Sequence, residues 1–248
     1  MDLVLDIGNF RLKGAFFEGD TLRSSFVIPY DMELLKKYLS AVPIESTLVS
    51  SVNRAAEPKI QELFKSLNLP FNLLDFSSVK VKLDVDEPEQ VGHDRIANVY
   101  GALFHYPQND CIVVDIGTAV TFDYVGSDGR YMGGAIYPGT DIGAKALANY
   151  TSLLPEVQIE KPESAVAKTT KTHIQSGLYW GLLGAIERIT FEMRALSTAP
   201  SDVKVIATGG FLRREHLEDF PQDLGELVDL IDPSLTLIGL HEIMKEKK

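Results

Sequence analysis

The chain has 248 residues, of which 45% are hydrophobic and 24% charged, a composition typical of a globular protein with one large or two medium domains. Its formal net charge of −11 argues against nucleic acid and anionic membranes as partners, because both require a basic surface. The sequence shows no cationic signal-peptide region and no apolar run of about 18 residues that would span a membrane. We therefore expect a soluble, cytoplasmic protein.

The first half of the chain is predicted to follow the order βββαβαβ and to close with a helix. Apolar runs at 3–7, 13–17 and 21–28 predict three strands joined by short turns. The helical period that follows predicts a short helix near 34–39, with Asp31 as its N-cap. The remaining elements are a strand at 47–52, a helix starting at Pro58, a strand at 71–74 and a helix at about 96–103.

The second half repeats this order with longer helices. Its predicted strands lie at 112–116, 120–125, 131–137, 204–207 and 227–230. Its predicted helices lie at 142–149, at 172–196, around Leu212 and Leu217, and at 237–244. Residues 106–110 break the periodicity, so we divide the chain into two domains, 1–108 and 109–248. Two mixed α/β domains with a cleft between them are the expected architecture.

One motif opens both halves of the chain. Asp6-Ile7-Gly8-Asn9 and Asp115-Ile116-Gly117-Thr118 each end a short apolar strand, and a second strand follows at once. Such a strand delivers a carboxylate to a tight turn, where glycine lets the backbone approach a ligand and N–H groups can cradle phosphate. A single turn of this kind is weak evidence, but two copies indicate a duplicated nucleotide-binding fold.

Several polar residues near these strands are candidates for chemistry. Asp94 can accept a proton from a substrate hydroxyl during phosphoryl transfer, or it can simply cap the helix that follows. Arg95 can grip a carboxylate or phosphate, or form a surface ion pair, and His93 is more typical of a turn residue than of a catalyst. Lys13 can place a positive charge on phosphates. Asp115 can bind a cation, or be a simple turn acid.

Three glycines lie on one face of the long predicted helix: Gly177, Gly181 and Gly184. Glycine inside a helix costs about 1 kcal/mol relative to alanine, so packing must offset that cost. Close approach of another helix explains the face, and that helix belongs either to the same chain or to a second subunit.

Taken in order, the motifs of this chain resemble those of type III pantothenate kinase, a family in the superfamily of actin, heat-shock chaperones and sugar kinases. The resemblance spans nearly the full length. It is carried by Asp6-Ile7-Gly8-Asn9 with Lys13, Gly92-x-Asp94-Arg95, Asp115-x-Gly117-Thr118, Gly133-Gly134-Ala135-Ile136 with Pro138-Gly139, Ser176-Gly177, Thr208-Gly209-Gly210 and Asp232-Pro233. It implies two duplicated ribonuclease H-like (actin-like ATPase) domains, each a mixed five-stranded sheet flanked by helices.

The resemblance also implies an activity, the ATP-dependent phosphorylation of pantothenate in the first step of coenzyme A synthesis. In that family the base corresponds to Asp94, the ligand of a potassium or ammonium ion to Asp115, and an ATP contact to Thr118. The other implied ATP contacts are Asp6, Ile7, Gly8, Asn9, Phe10, Arg11, Leu12 and Lys13. The implied pantothenate contacts are Gly92, His93, Asp94, Arg95 and Thr170. Magnesium accompanies ATP, and the family forms homodimers with the pantothenate site at the subunit interface.

Three positions depart from the family pattern. Phe10 replaces a threonine or serine beside the phosphates, and Val85 replaces a tyrosine that often contacts substrate. Thr169 replaces an asparagine ahead of Thr170, which leaves Thr172 as the alternative contact. We expect weaker binding rather than loss of catalysis. The alternatives are a non-catalytic, nucleotide-binding regulatory relative, and a kinase or phosphatase of the same superfamily that acts on another small molecule.

Overall fold

The computed structural model describes residues 1–8, 11–75, 79–214 and 217–247. Their contacts divide the chain into two compact units. Unit 1 comprises Met1–Val81, Glu87–His105 and Ser234–Lys248, and unit 2 comprises Lys82–Asp86 and Tyr106–Pro233. This division differs from the predicted domains 1–108 and 109–248 chiefly at the C-terminus. The last helix packs into the core of unit 1, although the chain reaches it only after completing unit 2.

Unit 1 is built on a mixed sheet that has four strands within the described residues, in the order β3-β2-β1-β4. β1, β2 and β3 form an antiparallel meander, and β4 runs parallel to β1. The strands are β1 Asp2–Ile7, β2 Leu12–Glu18, β3 Thr21–Ile28 and β4 Ser46–Ser51. The helices are α1 Met32–Ser40, α2 Glu57–Ser66, α3 His93–His105 and, from the end of the chain, α7 Leu235–Glu246, with a 3-10 turn at Pro88–Gln90.

Both faces of this sheet are covered by helices, which explains why β1 is a continuous apolar run. Leu3 and Leu5 pack into one core with residues of α1 and α2, whereas Val4 packs into another with residues of α3 and α7. Because side chains alternate between the faces of a strand, Asp6 projects to the same face as Val4. Asp6 is thus on the face that α3 covers.

The predicted strand at 71–74, and with it the predicted fifth strand of this sheet, is wrong. Among the described residues only an isolated bridge joins Val49 to Leu73. Other bonds replace a longer ladder: Asn72 donates its side-chain amide to the carbonyl of Thr47, and the Thr47 hydroxyl donates to the carbonyl of Pro70.

Unit 2 repeats the same plan around a sheet of five strands in its described residues, ordered β7-β6-β5-β8-β9. Again three strands form an antiparallel meander, and β8 runs parallel to β5 as β4 does to β1. The strands are β5 Cys111–Ile116, β6 Ala119–Val125, β7 Tyr131–Pro138, β8 Lys204–Thr208 and β9 Leu230–Ile231. The helices are α4 Thr140–Tyr150, α5 Thr170–Arg194 and α6 Phe220–Gly225. The shared topology confirms the predicted duplication.

The prediction of one helix around Leu212 and Leu217 is wrong. A 3-10 turn occupies Gly210–Arg213, and α6 starts later, with Pro221 in its first turn. Pro221 suits the first turn of α6, but it would break a helix that continued through it from Leu217. The 3-10 turn and α6 are therefore separate elements. The strand predicted at 227–230 is shorter and later, at Leu230–Ile231. No helix in the described part of the chain has the length and apolar character needed to cross a membrane.

Candidate active site

The turn between β1 and β2 presents the first predicted acid. Asp6 is 7% exposed and pairs in register with Lys13, whose Nζ lies 3.9 Å from Asp6 Oδ2. The Gly8 N–H donates to the carbonyl of Arg11 at 3.1 Å and closes the turn. Ile7 and Leu12 are fully buried, so their side chains belong to the core. The predicted contacts Asn9 and Phe10 lie outside the described residues.

Tyr30 supports this turn, and sequence reasoning missed it. Its hydroxyl donates to the carbonyl oxygen of Gly8 and accepts a bond from Asn53 Nδ2 at 3.3 Å. Burial raises the pKa of Tyr30, the Asn53 bond opposes that rise and the charge of Asp6 adds to it, so the hydroxyl keeps its proton. A tyrosine ahead of a helix cap carries no sequence signal for this role, because its partner is 22 residues away.

Asp94 lies in the first turn of α3, one residue after its start. The side chain is exposed, and its Oδ1 accepts a bond from the backbone N–H of Arg95 at 2.9 Å. A Cβ on Gly92 would lie 2.5 Å from that oxygen, so glycine leaves room for the carboxylate to fold back over the chain. Asp94 is therefore inside the helix rather than its N-cap, and its second oxygen is available to a substrate.

The start of α3 lies at the same edge of the unit 1 sheet as the β1–β2 turn. The His93 ring hydrogen-bonds the backbone of Ser51, the last residue of β4, and Ser51 is in register with Ile7 of β1. A cavity of about 470 Å³ opens beside His93. It is lined by Ser51, Arg54, Glu57, Leu73, Leu74, Asp75 and His93. The structure thus places Asp6 and Asp94 at one edge of one sheet.

In unit 2 the turn that follows β8 packs against the second motif, Asp115-Ile116-Gly117-Thr118. Asp115 is half-buried near the end of β5, and it pairs in register with Thr208 of β8. Gly209 has φ +111, and a Cβ there would lie 2.6 Å from Asp115 Oδ1 and 2.4 Å from the Ile116 carbonyl oxygen. Only glycine fits this position. The predicted motifs at 115–118 and 208–210 therefore meet in the structure.

Thr118 is exposed at the turn between β5 and β6. Its carbonyl accepts a bond from the N–H of Gly139 at 3.2 Å, and the Gly117 N–H donates to Ala119 at 3.0 Å. The Pro138-Gly139 motif is therefore packed against the same turn. The Thr118 hydroxyl can donate to a phosphate oxygen from this position.

Thr170 and Thr172 differ in what their hydroxyls do. Thr172 Oγ1 belongs to a capping box with Thr169, in which each side chain bonds the other residue's backbone N–H. Thr170 is exposed and lines an apolar cavity of about 410 Å³ with His173, Ile174 and Gly177, among others. Thr170 is thus the better placed of the two to contact a ligand.

The glycine face of α5 is open. At Gly177, Gly181 and Gly184 an added Cβ would meet no described atom within 4 Å outside its own helix. Packing of another helix from the same chain, one of the two predicted explanations, is therefore wrong for the described residues. Nearby Trp180 and Phe191 are 39% and 63% exposed. A second subunit at this face stays a prediction.

The Asp6 carboxylate suits a metal ion that arrives together with phosphate. In the described ranges no group of three or more His, Cys, Asp or Glu side chains could hold an ion. Magnesium usually keeps several waters and binds one or two carboxylates plus substrate phosphates. Asp6, at a strand end beside the turn closed by the Gly8 N–H, suits that mode.

Comparison with known proteins gives a consistent result. A family model described as type III pantothenate kinase matches residues 2–192. A type III pantothenate kinase of Syntrophotalea carbinolica is 34% identical over 265 residues, covering 100% of both chains. Among solved structures, a Baf family protein from Campylobacter jejuni has a TM-score of 0.61 at 22% identity, covering 99% of this chain and 98% of its own. An Arthrobacter glucomannokinase has a TM-score of 0.51 at 15% identity, covering 98% of each chain.

Proposed function

The chain belongs to the type III pantothenate kinase family, and we propose that Asp94 is the general base of its reaction. The family transfers a phosphoryl group from ATP to pantothenate in coenzyme A biosynthesis, a reaction that needs a divalent metal, and the chain has the actin-like kinase fold. The alternative of a kinase for another substrate loses its support, because the relatives that match the whole chain are named pantothenate kinases.

The observation that carries this proposal is the setting of the Asp94 carboxylate. It is exposed at the start of a helix, Gly92 leaves room for it, and it shares a sheet edge with the β1–β2 turn. In the proposed step Asp94 takes the proton of the pantothenate hydroxyl while that oxygen attacks the γ-phosphorus. The bond from the γ-phosphorus to the bridging oxygen breaks, and ADP leaves with the electron pair.

We assign the phosphates to the two strand-end turns. The residues implied by the family are Asp6, Ile7, Gly8, Asn9, Phe10, Arg11, Leu12, Lys13 and Thr118. Backbone N–H groups and the Lys13 ammonium offset negative charge on the phosphoryl oxygens, where charge builds during transfer. Magnesium, when bound with ATP, would neutralise part of that charge, with Asp6 as a candidate ligand directly or through water. That the two turns converge on one triphosphate stays a prediction.

We assign a monovalent cation, potassium or ammonium, to Asp115. A half-buried carboxylate next to the Ile116 carbonyl and the Gly209 turn offers the oxygen ligands that such an ion requires. Turnover measured in potassium and then in sodium tests this assignment. Equal rates in the two salts would remove the role of Asp115 as a selective cation ligand.

We also propose a homodimer that brings Thr170 to the pantothenate site. The open glycine face of α5 and the cavity beside Thr170 support an interface on this side of unit 2. The contacts of Gly92, His93 and Arg95 with pantothenate stay predictions. The cytoplasm is the proposed location, because the reaction consumes ATP.

Replacing Asp94 with asparagine tests the base directly. The change keeps shape and the first-turn hydrogen bond but removes the proton acceptor, so we expect turnover to fall by about 10²–10⁴-fold. Thermal unfolding and ATP binding should be unchanged, which separates lost chemistry from lost folding. Near-normal turnover in Asp94→Asn would contradict the proposal.

A further inference from the structure

His93 joins α3 to the central strands of unit 1. The His93 ring forms a hydrogen bond with the Ser51 backbone, and this bond raises the pKa of His93. A bond that raises a histidine pKa is one in which a ring N–H donates, here to the Ser51 carbonyl oxygen. Ser51 ends β4, and the next residue, Val52, donates its N–H to the carbonyl of Ile7 at 3.0 Å. A short chain of hydrogen bonds therefore runs from the residue after Asp6 to the residue before Asp94.

His93 and Ser51 are 42 residues apart in the sequence. The helix propensity of α3 and the strand propensity of β4 therefore do not determine this hydrogen bond. Helix α3 is held elsewhere by packing, because Ala97 and Tyr100 share a core with α7. In its first turn Ile96 is buried, whereas His93, Asp94 and Arg95 are exposed or half-buried. The ring of His93 is a polar link between the exposed side of this turn and the end of β4.

We propose that His93 is a positioning residue, which fastens the first turn of α3 to β4 and so fixes Asp94 relative to the β1–β2 turn. The inference rests on the proposed role of Asp94 as the base. A base must hold its oxygen within hydrogen-bond reach of the attacking hydroxyl, and a displacement of about 1 Å can cost 10²-fold in rate.

The protonation state of His93 suits this role. Burial lowers its pKa, the Ser51 bond and the Asp94 charge raise it, and Arg54 lowers it further, with lowering as the net result. Glu57 and Asp75 also line the adjacent cavity. A neutral ring donates to Ser51 without placing a positive charge beside Asp94, and such a charge would weaken Asp94 as a proton acceptor.

A substrate contact by His93, as the family resemblance implies, predicts a different kinetic effect. Loss of a contact made equally before and during the reaction raises KM and leaves kcat unchanged. Loss of a positioning bond lowers kcat, because substrate still binds but the base is misplaced. A purely structural role would lower the unfolding temperature without acting through Asp94.

The test compares His93→Leu, His93→Gln and a matched control, His105→Gln, at the other end of α3. We expect His93→Leu to lower kcat by roughly 10- to 100-fold with little change in the KM for pantothenate or ATP. His93→Gln retains an N–H donor and should recover most of that loss, and His105→Gln should match the unaltered enzyme. A raised KM with normal kcat, or no rescue by glutamine, would overturn the inference.

A double variant separates this inference from the proposed function. If His93 acts through Asp94, adding His93→Leu to Asp94→Asn should cause no further loss of kcat. Additive losses would show that His93 acts independently and would overturn the positioning role. Near-normal turnover in Asp94→Asn alone would instead refute the assignment of the base.

Discussion

Replacing Gly209 with alanine tests whether the turn after β8 shapes the Asp115 site. Gly209 has φ 111 and ψ 164, a backbone region that costs about 1–3 kcal/mol for a residue with a side chain. A Cβ would also lie 2.4 Å from the Ile116 carbonyl oxygen and 2.6 Å from Asp115 Oδ1, and relieving such overpacking costs about 1–3 kcal/mol more. We therefore expect the free energy of unfolding to fall by about 2–6 kcal/mol.

The assay uses the chain's one tryptophan, Trp180 in α5, whose fluorescence in a urea titration reports unfolding of unit 2. Gly210→Ala is the matched control, because a Cβ on Gly210 would meet no described atom within 4 Å. This control should change the unfolding free energy by no more than about 0.5 kcal/mol. Displacing the Asp115 carboxylate should also raise the potassium concentration needed for activity. Equal urea midpoints for the two variants would refute the reasoning.

Three further outcomes are expected. Tyr30→Phe removes the donor that holds the β1–β2 turn, so the KM for ATP should rise roughly 2- to 10-fold in steady-state assays, and an unchanged KM would contradict this role. Thr170→Val should raise the KM for pantothenate by a similar factor, whereas Thr172→Val should cost about 0.5–2 kcal/mol of stability without changing that KM. Burial lowers the pKa of His241, so the folded protein keeps its ring neutral while the unfolded chain binds a proton below about pH 6.5. Stability should therefore fall as the pH drops from about 7 to 5, and His241→Phe should flatten that decline in urea titrations at each pH.

Much of the fold follows from local pattern. Asp31 caps α1 as predicted, accepting a bond from the Leu34 N–H at 3.0 Å, and Cys111 is fully buried within its apolar strand. The two Asp-Ile-Gly turns occur at strand ends, as the motif indicated. These features depend on residues close together in the chain, so periodicity and capping chemistry are enough to predict them.

Parts of the candidate site could also be predicted from the sequence. The Asp-Ile-Gly motif predicted that the glycine and the carboxylate would share a turn, and a Cβ on Gly117 would lie 3.9 Å from Asp115 Oδ1. The contact of Gly209 with Asp115 joins two distant strands and was not predicted. The sequence favoured Thr170 and left Thr172 as the alternative, because Thr169 departs from the family pattern just before them. The capping box, which occupies the Thr172 hydroxyl, separates them only once the start of α5 is known.

The sequence by itself determined the duplicated order of strands and helices, because hydrophobic period, caps and turn residues act over a few neighbouring positions. Only the tertiary structure assigned α7 to unit 1, reduced residues 71–74 to a single bridge, and joined Tyr30 to Gly8 and His93 to Ser51. Each of these contacts joins residues more than 20 positions apart. They are stabilised by burial and by hydrogen bonds that form only when distant segments come together during folding, and no local propensity encodes them.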